Sequence, residues 1–205
     1  MAQIYSFDGV VPAIDPSAFV HPSAVVIGDV IIGAGVYVAP CASLRGDLGR
    51  IVIGAGSNIQ DTVVVHGFPG TDTTIGENGH IGHGALLHAC TLHRNVLVGM
   101  NAVVMDYAVV GESAIVAASA FVAAQSQIPA ASLAMGVPAK IVRQLTEQEL
   151  SWKLDATATY QRLCVESRRS MAPCVPLSAP EADRRRCHHP EVLALSEFKR
   201  HIGAE

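Results

Sequence analysis

Aromatic residues are scarce, at 5% of the chain with a single tryptophan. A broad core filled by rings is therefore excluded, and a narrow one of Val, Ile, Leu and Ala is expected. Charged residues are also few, at 16%, well below the share usual for a soluble domain whose whole surface meets water. Part of the surface is therefore expected to be covered by other subunits. The formal net charge of −4 offers no basic face, which argues against a nucleic-acid partner. The five cysteines (Cys41, Cys90, Cys164, Cys174, Cys187) are odd in number and scattered, and no CxxC occurs. Neither a disulfide framework nor a thiolate metal site is indicated. With no secretory leader in the sequence, a reducing, cytoplasmic setting is expected. The most apolar run, residues 98–124, carries Asp106 and Glu112 among evenly spaced branched residues, so no membrane span is expected.

Half of the residues are apolar, enough for one sizeable core, and they are arranged in a repeat. Branched apolar residues recur every six positions at Val20, Val26, Ile32, Val38 and Leu44. The series resumes at Ile53, Ile59 and Val65, then at Ile75, Ile81 and Leu87. After a shortened step to Leu92 it continues through Val98, Val104, Val110, Val116, Val122 and Ile128. Several of these register residues are followed directly by glycine, as at Ile53-Gly54, Ile75-Gly76 and Val98-Gly99. No 3.6-residue period fits the series. A six-residue step with one buried branched residue suits a short strand and a turn, and three steps close a triangular coil. The expectation is a single-stranded parallel β-helix of about six coils.

Two interruptions stand out. Extra residues enter around positions 45–50 and again within 67–74, and loops that bulge from a regular scaffold are where function tends to sit. After Ile128 the register ends. Thr146 and Glu149 form a capping-box pattern, so a C-terminal α-helix is expected over 141–170, with an apolar stripe from Leu150, Trp152, Leu154, Tyr160 and Leu163. The β-helix is assigned to 1–140. Residues 171–205, punctuated by prolines, read as a flexible or partner-ordered tail. His188-His189 in that tail read as a surface pair.

The register also phases the histidines. His66 and His88 each follow a register residue by one position in successive coils, so they are expected to stack on one face. Arg45 holds the same position one coil earlier. His83 follows Ile81 by two positions and is expected near a corner of the prism, with Asp61 its counterpart one coil before. Three imidazoles with an open fourth position are the pattern of a catalytic zinc site. His66, His83 and His88 are therefore the candidate metal ligands, and His80 is read as lining the site. Zinc is the expected ion, with cobalt or iron as alternatives.

The runs Arg45-Gly46-Asp47, Asn58-Ile59-Gln60-Asp61, Val65-His66-Gly67 and Gly82-His83-Gly84 through His88 resemble the γ-class carbonic anhydrase-like, hexapeptide-repeat family of left-handed β-helix proteins. The resemblance extends over residues 10–145. Within the family it is nearest to the phenylacetic acid degradation subgroup, with the carnitine-operon subgroup close by. The resemblance implies a left-handed coil and a homotrimer with metal at each subunit interface, His66 and His88 ligating from one subunit and His83 from its neighbour. It implies that Gln60 orients a metal-bound water, that Asp61 supports that network, and that Arg45 and Asp47 form an ion pair holding subunits together. The function it implies first is a zinc-dependent thioesterase hydrolysing aromatic or ring-derived acyl-CoA thioesters in phenylacetate degradation. A γ-class carbonic anhydrase is the alternative, although the 67–74 insertion carries only Asp72 as a carboxylate, a poor proton relay. Further alternatives are a hexapeptide acyltransferase with one histidine as general base, and a non-catalytic pathway regulator.

Overall fold

In the computed structural model the chain winds into a left-handed parallel β-helix of about seven turns followed by one long helix. The structure describes residues 2–187 together with Glu197 and Arg200. The expected tail of 171–205 therefore falls largely outside the described residues, as does the His188-His189 pair. Residues 171–187 form neither helix nor strand.

The hexad register is the core. Each register residue from Val26 to Val122 is at most 2% exposed. A second inward series stands two positions earlier in each step, with Ala24, Ala42, Ala85, Ala102, Ala108 and Ala114 all fully buried. Side chains at i and i−2 share a strand face, and the residue nearer the corner is kept small by the taper of the coil. Cys90 belongs to this series and is a buried filler, with its thiol pushed up to about 12 by burial.

The turn follows from backbone geometry. Three residues after most register residues the chain enters the left-handed region, as at Asn78, Asn95, Asn101, Tyr107, Ser113, Ser119 and Gln125. Asparagine tolerates that region; Tyr107 and Gln125 occupy it at some cost. The glycines that follow the register residues have a separate reason. A Cβ on Gly54 would lie 2.5 Å from the backbone nitrogen of Glu77, and one on Gly99 would lie 2.4 Å from that of Ala118. These glycines let successive coils approach at the corners.

The last turn of the coil is closed by strand Lys140–Gln144, which pairs antiparallel with Ser132–Met135. This corrects the expected helix boundary at 141: helix α1 spans Glu147–Ser170. It does begin on the expected capping box, with Thr146 and Glu149 bonding each other reciprocally. Glu149 also takes both Arg143 Nη atoms, at 2.7 and 2.8 Å, which fixes the angle between strand and helix.

The face that α1 docks differs from the apolar stripe expected. Its buried residues are Glu149, Lys153, Thr157, Cys164 and Ser167, whereas Leu154 is exposed. The reason lies on the coil flank, which presents buried Asn58, Gln60, His80 and Asn95 beneath the helix. Buried polar groups need partners; Asn58 and Gln60 bond each other and His80, and α1 supplies Thr157 to His80 and Lys153 to Asn95. Lys153, 1% exposed, donates to the Asn78 carbonyl at 2.8 Å and to Asn95 Oδ1. Among the described residues, no helix is long and apolar enough to cross a membrane.

Candidate active site

Parallel pairing converts the phase of the sequence into a column. Strand Val64–His66 lies between Ser43–Ile53 and Leu86–His88, with Arg45 opposite His66 and His66 opposite His88. The two imidazoles stand 5.2 Å apart between centroids, and His66 Nδ1 lies 3.2 Å from His88 Nε2. The stacking expected for these two residues is what the structure shows.

Each of the three singled-out histidines meets its own carboxylate. His66 Nε2 lies 3.0 Å from Asp47 Oδ1, His83 Nδ1 lies 2.7 Å from Asp61 Oδ2, and His88 Nδ1 bonds Asp106. Asp106 was missed in the sequence. The signal for it was available: it lies one coil beyond His88, two positions after the register residue Val104, and its outward phase could have placed it at the column.

Arg45 joins the same group. Its Nη1 donates to Asp47 Oδ2 at 2.6 Å, and its Nη2 lies 3.1 Å from His66 Nε2. Asp47, expected to pair with Arg45, therefore does so while also contacting His66. One imidazole nitrogen cannot both accept from Arg45 and donate to Asp47. If Arg45 donates, His66 carries its proton on Nδ1 and passes it toward His88. If Asp47 accepts, His66 Nδ1 and His88 Nε2 face each other as two lone pairs 3.2 Å apart. Such a pair is stable only around a proton or a cation. The spacing matches two nitrogens of one tetrahedral ion with metal–nitrogen bonds of about 2 Å, so these two donors fit a metal.

His83 stands apart from that pair. It is 46% exposed at the side chain, and Asp61 holds its Nδ1. Among the described residues of one chain, no group of three His, Cys, Asp or Glu side chains converges as a metal set.

Gln60 and His80 lie elsewhere. Gln60 is 3% exposed, and its amide nitrogen bonds Asn58 Oδ1 at 2.9 Å and His80 Nε2 at 2.8 Å. Its amide nitrogen is thus engaged beneath α1. His80 accepts from Gln60 and packs edge-on against Tyr160 at 5.3 Å. Burial, with Lys153 nearby, pushes its imidazole down to about 3. It is a neutral structural acceptor in the helix–coil seam.

No protein-family model matches the chain. It is 55% identical over 196 residues to the carnitine operon protein CaiE of Proteus sp. (strain LE138), covering 96% of this chain and 97% of that one. It is 54% identical over 182 residues to CaiE of Salmonella dublin, covering 89% and 92%. Among solved structures, one described as a putative acetyltransferase of Bacillus cereus has a TM-score of 0.81 at 29% identity, covering 82% of this chain and 98% of that chain. A hexapeptide transferase family protein of Anaplasma phagocytophilum has a TM-score of 0.77 at 39% identity, covering 80% and 96%.

These findings correct the functional expectation. The relatives carry the carnitine-operon name rather than that of the phenylacetic acid degradation protein PaaY, and the similar structures are named as transferases. The zinc-dependent thioesterase and the carbonic anhydrase readings are both overturned on that ground, and with them the designation as a hydrolase. The histidine motifs are compatible with more than one chemistry.

Proposed function

The chain belongs to the hexapeptide-repeat family, in the group of the carnitine operon proteins CaiE, and from there we propose that it is an acyl-CoA-dependent acyltransferase with His83 as general base. The observation that carries this reading is the Asp61–His83 pair: Nδ1 held at 2.7 Å on a side chain 46% exposed. A carboxylate on one nitrogen fixes the tautomer and supports the imidazolium that forms when the other takes a proton. His83 Nε2 would remove the proton from an amine or hydroxyl of the acceptor as that atom attacks the thioester carbonyl. The carbon–sulfur bond then breaks, and the CoA sulfur leaves with a proton returned from His83. The reading takes the working form as a homotrimer, the assembly typical of hexapeptide-repeat proteins.

The test is release of free CoA from acetyl-CoA in the presence of a panel of small amines and alcohols. Release that depends on the acceptor is expected, with His83→Ala lowering kcat by about 10²–10⁴ and leaving KM for acetyl-CoA nearly unchanged. Release at the same rate without acceptor, or full activity in His83→Ala, refutes it.

A second reading of the same histidines rests on the facing nitrogens of His66 and His88, 3.2 Å apart. Here the pair would hold a divalent ion (zinc, cobalt or iron), with His83 of the partner subunit as third donor rather than as base. Such an ion would supply Lewis-acid polarisation of the acyl carbonyl. Metal analysis separates the two readings. Under the second, one ion per chain is lost in His66→Ala; under the first, His66→Ala keeps acceptor-dependent transfer.

A further inference from the structure

Residues from both interruptions of the hexad register, 45–50 and 67–74, line one cavity of about 380 Å³, which Phe7, Asp8 and Val10 line as well. That volume lies within the range of small-molecule sites. Two of the lining residues are glycine by necessity. A Cβ on Gly46 would lie 2.4 Å from the Asp29 carbonyl oxygen, and one on Gly49 would lie 2.6 Å from that of Thr71. The remaining wall carries two kinds of group. Phe7, Val10 and Leu48 keep 51%, 44% and 54% of their surface exposed, apolar area that the chain leaves uncovered beside a concave space. The charge around it is unbalanced. Arg50 is taken by Asp29 at 3.0 Å and Asp47 by Arg45 at 2.6 Å, so these four cancel. The side chains of Asp8 and Asp72 make no hydrogen bond or ion pair among the described residues, which leaves their two carboxylates in excess. The aspartates do not converge on a point, since among the described residues no three His, Cys, Asp or Glu side chains form a metal set. An anion would meet net repulsion here, and a bare metal ion would leave the apolar wall unused.

We infer that this cavity binds a small organic ammonium ion with an apolar body, its charge toward Asp8 and Asp72 and its body against Phe7, Val10 and Leu48. Covering the apolar wall supplies most of the affinity, because exposed ion pairs contribute little. The two carboxylates supply selectivity for charge, and the Phe7 ring adds a face on which a cation can rest. Asp47 joins the cavity to the histidine column, since it lines the one and contacts His66 in the other at 3.0 Å. The role of such an amine as acyl acceptor rests on the transferase reading above; its binding does not.

The experiment is calorimetric titration of the full-length chain, without acyl-CoA, using phenethylamine, its neutral counterpart 2-phenylethanol and the anion 3-phenylpropionate. Phenethylamine is expected to bind more tightly than 2-phenylethanol by about 2- to 25-fold, the worth of two exposed ion pairs, and 3-phenylpropionate more weakly than either. The double variant Asp8→Asn, Asp72→Asn should lose that preference for the amine while binding 2-phenylethanol as the wild type does, a split that misfolding would not produce. Phe7→Ala should weaken both the amine and the alcohol. Equal affinity for amine and alcohol in the wild type overturns the inference, and this comparison needs no variant to fold. So does amine affinity unchanged in the double variant or in Phe7→Ala, or no binding at millimolar phenethylamine. Because no acyl donor is present, the proposed transfer can fail while amine binding stands. Conversely, amine binding can fail in an active transferase whose acceptor is an uncharged alcohol.

Discussion

Replacing Lys153 with methionine tests how α1 is held on the coil. The ammonium is 1% exposed and is met by two oxygen acceptors, the Asn78 carbonyl and Asn95 Oδ1. Burial, reinforced by the like charge of Arg94, pushes its pKa from 10.5 down to about 7. The unfolded chain therefore holds a proton that the folded chain releases between pH 7 and pH 10.5. Stability must rise with pH across that window, because the unfolded state binds more protons there. The slope for one such group is about 1.4 kcal/mol per pH unit. From pH 7.5 to 9.5 the wild type should therefore gain on the order of 2 kcal/mol relative to Lys153→Met. The variant fills the same volume without a titrating group and should lose this slope. It leaves two acceptors unmatched, at about 1–3 kcal/mol each, so its absolute stability is a poor readout and its pH dependence a good one. Urea unfolding at several pH values, with amide exchange along α1, provides the measurement. The burial argument is refuted if wild type and variant show the same slope, or if wild-type stability falls over this window.

His80 should act in the adjacent window. Its pKa falls from 6.5 to about 3 on burial, so its contribution is complete above 6.5 and is lost as pH drops toward 3; His80→Asn should lessen acid sensitivity over that range in the same unfolding assay. Gly99→Ala should destabilise the coil by about 1–3 kcal/mol or more, since its Cβ would sit 2.4 Å from the backbone nitrogen of Ala118; a thermal midpoint equal to the wild type would contradict the corner-packing account.

The coil was legible because a buried residue every six positions has no helical explanation, and burial of the register from Val26 to Val122 follows it closely. The stacking of His66 on His88 was legible for the same reason, since parallel pairing carries phase from one coil to the next. What a repeat cannot show is which way a side chain turns once its backbone position is set. Gln60 has the phase expected of a site residue, yet its amide is engaged by Asn58 and His80. The docking face of α1 is not marked by its apolar residues, since Glu149, Lys153, Thr157, Cys164 and Ser167 are the buried ones. The flank it covers is polar at Asn58, His80 and Asn95, and complementarity to those groups outweighed hydrophobicity. The helix boundary shifted because residues 140–144 had the free edge of strand Ser132–Met135, already paired on its other side with Ile115–Val116, to add to.

The site shows how one scaffold admits several chemistries. A carboxylate beside an imidazole accepts a proton from the near ring nitrogen and leaves a lone pair on the far one, and that is useful to a metal ligand and to a general base alike. The difference lies in what the remaining nitrogen faces. For His88 it is another imidazole nitrogen at 3.2 Å, whereas His83 is a half-exposed side chain, at 46%. A nitrogen facing a second nitrogen is prepared to share a proton or an ion, whereas one facing open space is prepared to receive a proton from an incoming molecule. Asp61 and Asp106 are therefore equivalent in contact and opposite in consequence. Sequence phase assigned all three histidines to one task because it registers the column and the corner but not the space in front of each ring. That space is what makes His83 the candidate base and leaves His66 and His88 as a coupled pair.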